Sequence, residues 1–161
     1  GPPPGAKRDM VRRWALPDRM FFGFGACHIL AGAALEAAPI PGLRAERIAP
    51  RDGLPGFHVF VTDGRRAFDF HGCSDRAALL AHHARAWRRR HPDWRAEIEP
   101  VDYDLFDTAA LNARRMLGPC QYLHDPRPRA RAFLARFHPR ASAPHPAADA
   151  FQDRPSPLTS P

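Results

Sequence analysis

The segment "FHVFVTDGRRAFDFHG", residues 57–72, decides how the rest of the chain is read. Two runs rich in β-branched and aromatic residues flank Asp63-Gly64. That pair suits a two-residue type I′ turn, because both central positions need positive φ. The segment therefore predicts a hairpin in which Thr62 faces Arg65, Val59 faces Phe68 and His58 faces Asp69. Directly opposed residues share a face, with Cβ atoms about 4.5–5.5 Å apart. His58 and Asp69 are thus expected to be hydrogen-bonding neighbours. The opposite face collects Phe57, Val59, Val61, Phe68 and Phe70, an apolar surface fit for a core.

On the N-terminal side of the hairpin, "DMVRRWAL" (9–16) predicts a short helix stopped by Pro17. Residues 26–38 are Ala-rich and end at Pro39, which predicts a buried helix. Gly23 and Gly25 suit a tight loop leading into it. "GLRAERIAP" (42–50) alternates as an edge strand, with Leu43, Ala45 and Arg47 on one side and Arg44, Glu46 and Ile48 on the other. "RDGLPG" reads as a loop. Beyond the hairpin, residues 74–91 predict a helix with Ser74 as N-cap. Leu79, Leu80, His83 and Trp87 form one stripe, and Pro92 follows the end. "WRAEIEPV" (94–101) alternates as a short strand, and residues 107–117 and 128–137 read as helices. Hairpin-connected strands with helices grouped together give an α+β fold, a small antiparallel sheet packed against helices. Residues 1–8 read as a disordered lead, 9–138 as one domain, and the Pro/Ala/Ser-rich 139–161 as a disordered tail.

The 161 residues suffice for one domain with a modest core. The formal charge of +7 comes almost wholly from Arg, since Lys7 is the sole Lys. The cations are spread along the chain and mark no single patch. Arg88-Arg89-Arg90 closes a predicted helix, where cations complement the dipole. Three Cys, without paired spacing, argue against a disulfide framework and for a reducing compartment. The expected location is cytoplasmic, with a secreted effector as the alternative. "MFFGFGACHILAGAAL" (20–35) follows Arg12, Arg13 and Arg19 and imitates the apolar part of a signal peptide. It holds His28 and several Gly and is short for a membrane span. No membrane association is expected.

A carboxylate held against an imidazole fixes the ring tautomer and stabilises the imidazolium. Such a base needs a nucleophile. Cys27 stands at the expected start of the Ala-rich helix, where free N–H groups and the helix dipole favour the thiolate. The same N–H groups suit part of an oxyanion hole. Each residue alone has a plainer role: Cys27 as a small core residue, His58 as a structural ring, Asp69 as a strand carboxylate. Together they make a Cys-His-Asp candidate triad.

At these residues the chain resembles the transglutaminase-like branch of the papain-like cysteine enzymes. The resemblance rests on "GFGACHILAGAAL" (23–35), then "HVFV" (58–61), then "RRAFDF" (65–70), and spans roughly residues 20 to 72. It is similar in layout to the arylamine N-acetyltransferases and to peptide-amidase relatives. It implies Cys27 as nucleophile, His58 as general base and then acid, and Asp69 as orienter. It also implies acyl transfer through a thioester on a peptide, protein or small amide substrate, without a cofactor. Phe68 takes the place of an aromatic common on the second hairpin strand. "DRMFFGFGA" (18–26) holds no Gln or Asn to act as an upstream oxyanion donor.

Phe24, Gly25, Phe60 and His71 are expected to line the substrate cleft, His71 because it shares a face with Asp69. His28 follows the nucleophile at about 100° around the helix and is expected to serve packing or surface. "HGC" (71–73) and "HH" (82–83) lack the close four-ligand spacing of a zinc site, so no metal is expected. Cys73 and Cys120 have no assigned base. Nucleic acid is not an expected partner of the enzyme. The rival reading is a non-catalytic basic module of the same fold that contacts an acidic partner or nucleic acid.

Overall fold

The computed structural model describes Gly5, residues 9–38 and residues 40–137. The expectations for the remainder of 1–8 and for 139–161 lie outside the described residues. Three helices come first: α1 (Met10–Trp14), α2 (Asp18–Gly23) and α3 (Cys27–Ala37). β1 (Arg44–Pro50), β2 (His58–Thr62), β3 (Arg66–Asp69) and β4 (Gly72–Asp75) follow. Then come α4 (Arg76–Arg88), β5 (Ala96–Pro100), α5 (Thr108–Asn112), a 3₁₀ turn (Pro119–Gln121) and α6 (Arg127–Ala135). The five strands form one antiparallel sheet in the order β4-β3-β2-β1-β5. The class is α+β, as the hairpin pattern implied.

The sheet has helices on both faces, where the sequence pattern suggested a single group. Ala45, Val59, Val61 and Phe68 meet Ile29, Leu30 and Ala34 of α3, with Phe133 and Leu134 of α6 behind them. Ile48, Phe60 and Ala67 point the other way, onto Leu79 of α4 and Trp94. The period-two alternation of each strand feeds both cores. The stripe on α4 behaves as expected: Leu80 and Trp87 pack on that second core.

Three local expectations need correction. β1 is an interior strand between β2 and β5, because "WRAEIEPV" pairs along its outer side. Ser74 does not cap α4. It pairs with Ala67 in β4, after Gly72 turns the chain at φ +101°, and Asp75 takes the cap position. The helix expected over 107–117 stops at Asn112. The Asp107 carboxylate caps its start, accepting from the Ala109 and Ala110 N–H groups, and Arg115 adopts φ +61° just past its end. The sequence pattern also passed over α2, which it folded into a signal-like apolar run. α2 instead buries Phe21 and Phe22 in the core.

The hairpin register also differs from the expectation. Thr62 faces Ala67 and Val61 faces Phe68. The turn centres on Gly64-Arg65, with Asp63 N–H donating to the Arg66 carbonyl at 3.3 Å. Side chains select this turn. The Asp63 carboxylate accepts from Arg65 N–H at 2.9 Å and Arg66 N–H at 2.7 Å, and the Thr62 hydroxyl donates to the Arg66 carbonyl at 2.5 Å. Only Gly64 takes a left-handed φ, whereas a type I′ turn centred on Asp63-Gly64 needs two such residues. The shift moves each partner by two positions, so every side chain keeps its face. His58 and Asp69 become diagonal neighbours on one side of the sheet.

Arg129 of α6 ties the N-terminal helices down. Its guanidinium reaches Asp18 at 2.7 Å, the Trp14 carbonyl at 2.7 Å and the Leu16 carbonyl at 2.6 Å, and lies over the Phe21 ring. Arg136 adds a second contact to Asp18. Among the described residues, no helix is long and apolar enough to cross a membrane.

Candidate active site

His58 opens β2 and Asp69 closes β3, so antiparallel pairing brings both to the same end of the sheet. His58 Nε2 donates to Asp69 Oδ2 at 2.9 Å, with both side chains almost fully buried. Asp69 Oδ1 accepts from the His71 backbone N–H at 2.8 Å and lies 3.2 Å from His71 Nδ1. The carboxylate is therefore fixed on both oxygens. Burial pushes its pKa up, but the hydrogen bonds from His58 and His71 outweigh this and hold it well below the usual carboxylate range.

Cys27 comes from the other layer. It is the first residue of α3, with Ala26 at the N-cap, and α3 packs on the face opposite His58. Its sulfur reaches the imidazole at the sheet end, where Cys27, His58 and Asp69 line one narrow crevice with Phe22, Phe68 and Phe70. Burial pushes the thiol pKa up. Hydrogen bonding and charge from the His28 and His58 rings more than reverse this, lowering it to about 5. Burial pushes His58 down, and Asp69 and the Cys27 thiolate raise it to about 10. The lowered thiol and the raised imidazole both favour a thiolate beside an imidazolium.

The His58 ring is locked by its neighbours. Phe70 packs edge-on against it at 5.6 Å between centroids and His83 stacks on it at 5.5 Å. His83 Nε2 donates to the Gly56 carbonyl at 2.6 Å, and burial lowers its pKa to about 4. This second ring stays neutral, so it supports the imidazolium without a charge of its own.

His28 was expected to serve packing or surface, and it is buried next to Cys27. It is 1% exposed, and its Nε2 donates to the Leu117 carbonyl at 2.7 Å. Tyr122 was missed. Its hydroxyl donates to the Gly25 carbonyl at 2.7 Å and so anchors the loop before Cys27. The two residues lie 97 positions apart, and nothing local in "GPCQYL" signals the contact.

The expected cleft residues divide. His71 lines a separate cavity of about 270 Å³ beside Asp69, with Ser74, Leu79, His82 and His83. Phe24 caps α2 and is partly buried. Gly25 sits in the loop before the thiol at φ +137°. Phe60 is corrected: it is 0% exposed and belongs to the core under α4, because its strand position points it at Leu79 and Trp94. Cys73 is partly buried and Cys120 exposed, and neither lines the crevice. Among the described residues, no group of three or more His, Cys, Asp or Glu side chains is placed to hold a metal ion.

No protein-family model, no curated protein and no solved structure matches this chain. Functional assignment rests on the site itself.

Proposed function

We propose that the protein is a cysteine-dependent acyl-transfer enzyme of the transglutaminase-like, papain-like type. The carrying observation is the buried His58–Asp69 bond, with Cys27 lining the same crevice at the start of a helix. A nucleophile at a helix N-terminus, a base and an orienter are the parts this chemistry needs.

In the first half-reaction the Cys27 sulfur attacks an amide carbonyl carbon. A C–S bond forms and the carbonyl electron pair moves to oxygen. N–H groups at the start of α3 face that charge. The oxyanion collapses, the C–N bond breaks, and the His58 proton passes to the leaving nitrogen. A thioester remains. Water then gives a proton to His58 while its oxygen bonds to the carbonyl carbon. The C–S bond breaks, and acid and thiolate are released. An amine in place of water gives transfer. Hydrolysis or deamidation is the simpler outcome for a small site.

Cys27 is 5% exposed. A substrate carbonyl reaches the sulfur only if rings of the crevice, Phe22 or Phe70, move aside. This closure favours the rival reading, a non-catalytic basic module that keeps the fold. A thiol-reactive amide probe separates the two. An enzyme labels at Cys27 ahead of Cys73 and Cys120, and His58→Ala abolishes that preference. Equal slow labelling of all three thiols supports the module. Cys27→Ser is expected to abolish turnover and leave the far-UV circular dichroism unchanged.

A further inference from the structure

The loop before Cys27 carries a cation that the proposed triad does not use. Arg13 lies in α1, and its guanidinium packs against Gly25 where a side chain would otherwise stand: a Cβ there would collide with Arg13 Nη2. The guanidinium also sits over the Tyr122 ring, 5.5 Å from its centroid. Tyr122 is 7% exposed, and its hydroxyl donates to the Gly25 carbonyl at 2.7 Å, two residues before Cys27. Arg13, Gly25 and Tyr122 thus form one assembly immediately before the nucleophile.

Arg13 differs from Arg12, Arg129 and Arg136 nearby. Arg12 pairs with Asp9, while Arg129 and Arg136 pair with Asp18. Arg13 makes its contact with an aromatic face and pairs with no carboxylate among the described residues. It is half-buried, so its charge is only partly hydrated. A guanidinium fork held by an aromatic ring presents parallel N–H donors to a planar acceptor.

We infer that Arg13 binds a carboxylate carried by the acyl substrate close to the scissile carbonyl, so that the preferred substrates are acidic amides or esters. This rests on the proposed chemistry of Cys27. Gly25 is required because any side chain would displace the guanidinium. Tyr122 has two tasks, holding the Gly25 carbonyl and backing the cation. Arg13 is a specificity residue, because it meets a remote charge of the substrate and takes no part in proton transfer.

The test compares two alkylating reagents of similar size on the full chain at neutral pH. Iodoacetate carries the carboxylate and iodoacetamide does not. Modification is read at Cys27, Cys73 and Cys120 by peptide mass. The expected iodoacetate-to-iodoacetamide rate ratio at Cys27 falls about fivefold in Arg13→Gln, the size of one lost charge interaction at a partly exposed site. Arg13→Lys is expected to keep most of the ratio, and Arg12→Gln, an equal change in net charge, to leave it unaltered. An unchanged ratio in Arg13→Gln overturns the inference while leaving the thiolate chemistry in place. Should Arg13→Gln also lose iodoacetamide reactivity, Arg13→Lys decides: a kept ratio supports the role and a lost one overturns it. Failure of both reagents to select Cys27 in the unaltered protein overturns the proposed function and this inference with it.

Discussion

Asp69 shows how much one residue's environment sets its role. Its two oxygens serve different partners, Oδ2 the His58 ring and Oδ1 the backbone and ring of His71. Replacing Asp69 by Asn puts an N–H₂ or a weaker acceptor against His58 and releases the tautomer. Under the proposed mechanism Asp69→Asn lowers turnover on the order of 10⁴-fold. His71→Ala removes one ring bond but keeps the backbone N–H. Its expected loss is roughly tenfold, the worth of one charge-assisted bond. A measured order in which His71→Ala matches Asp69→Asn contradicts this division. The residue pair itself was legible in the sequence, because face parity along two strands survives an error of two in register. The partner of His28 was not legible. Helical spacing gives the direction of a Cα–Cβ bond, and the Leu117 carbonyl that fixes the His28 ring comes from 89 residues away.

α3 is the element on which both the core and the site depend. It is Ala-rich because it is packed on several sides: Phe22, Val59, Val61, Phe133 and Leu134 share its core. Gly32 gives the closest approach. A Cβ there would lie 2.9 Å from a Phe106 ring carbon and 3.2 Å from Leu105 Cβ. Gly32→Ala gains up to about 1 kcal/mol in helix propensity and loses about 1–3 kcal/mol to overpacking. A net fall in stability is expected in urea titration, and a rise would show that the 105–106 segment yields freely. The helix was readable from composition and from Pro39. Its partners were not, because Leu105 and Phe106 lie in irregular chain, where no periodicity points to them. The same holds for the edge position wrongly expected for β1: alternation identifies a strand and its faces, while the number of neighbours depends on which distant strand arrives.

For the whole molecule, three titrating groups shape stability against pH. Cys27 is lowered from 9.0 to about 5, so its thiolate contributes stability that is present at high pH and lost as pH falls through 5. His58 is raised from 6.5 to about 10, so its contribution is complete below 6.5 and lost as pH rises through 10. Between 6.5 and 9.0 the two slopes have opposite signs and cancel, since the folded protein has moved one proton from sulfur to nitrogen. His83 is lowered from 6.5 to about 4, so stability falls as pH drops across that interval and the unfolded ring takes up a proton. The expected curve rises from pH 4 to 6.5, is flat to 9 and falls towards 10. Urea denaturation across this range measures it. His83→Gln, which retains a donor for the Gly56 carbonyl, is expected to flatten the acid limb, and an unaltered limb would remove His83 from the account.

Composition and alternation by themselves determined the α+β class, the hairpin, the Ala-rich helix, and the shared sheet face of His58 and Asp69. These are properties of a few consecutive residues, where local sterics and the two periods of strand and helix dominate. Only the tertiary structure decided that helices cover both faces of the sheet, that α3 delivers Cys27 to the ring from the opposite layer, and that Arg13 and Tyr122 meet at Gly25 in the loop before Cys27. Those contacts are set by how separate layers fill space together, and close packing between distant segments leaves no periodic trace in the chain.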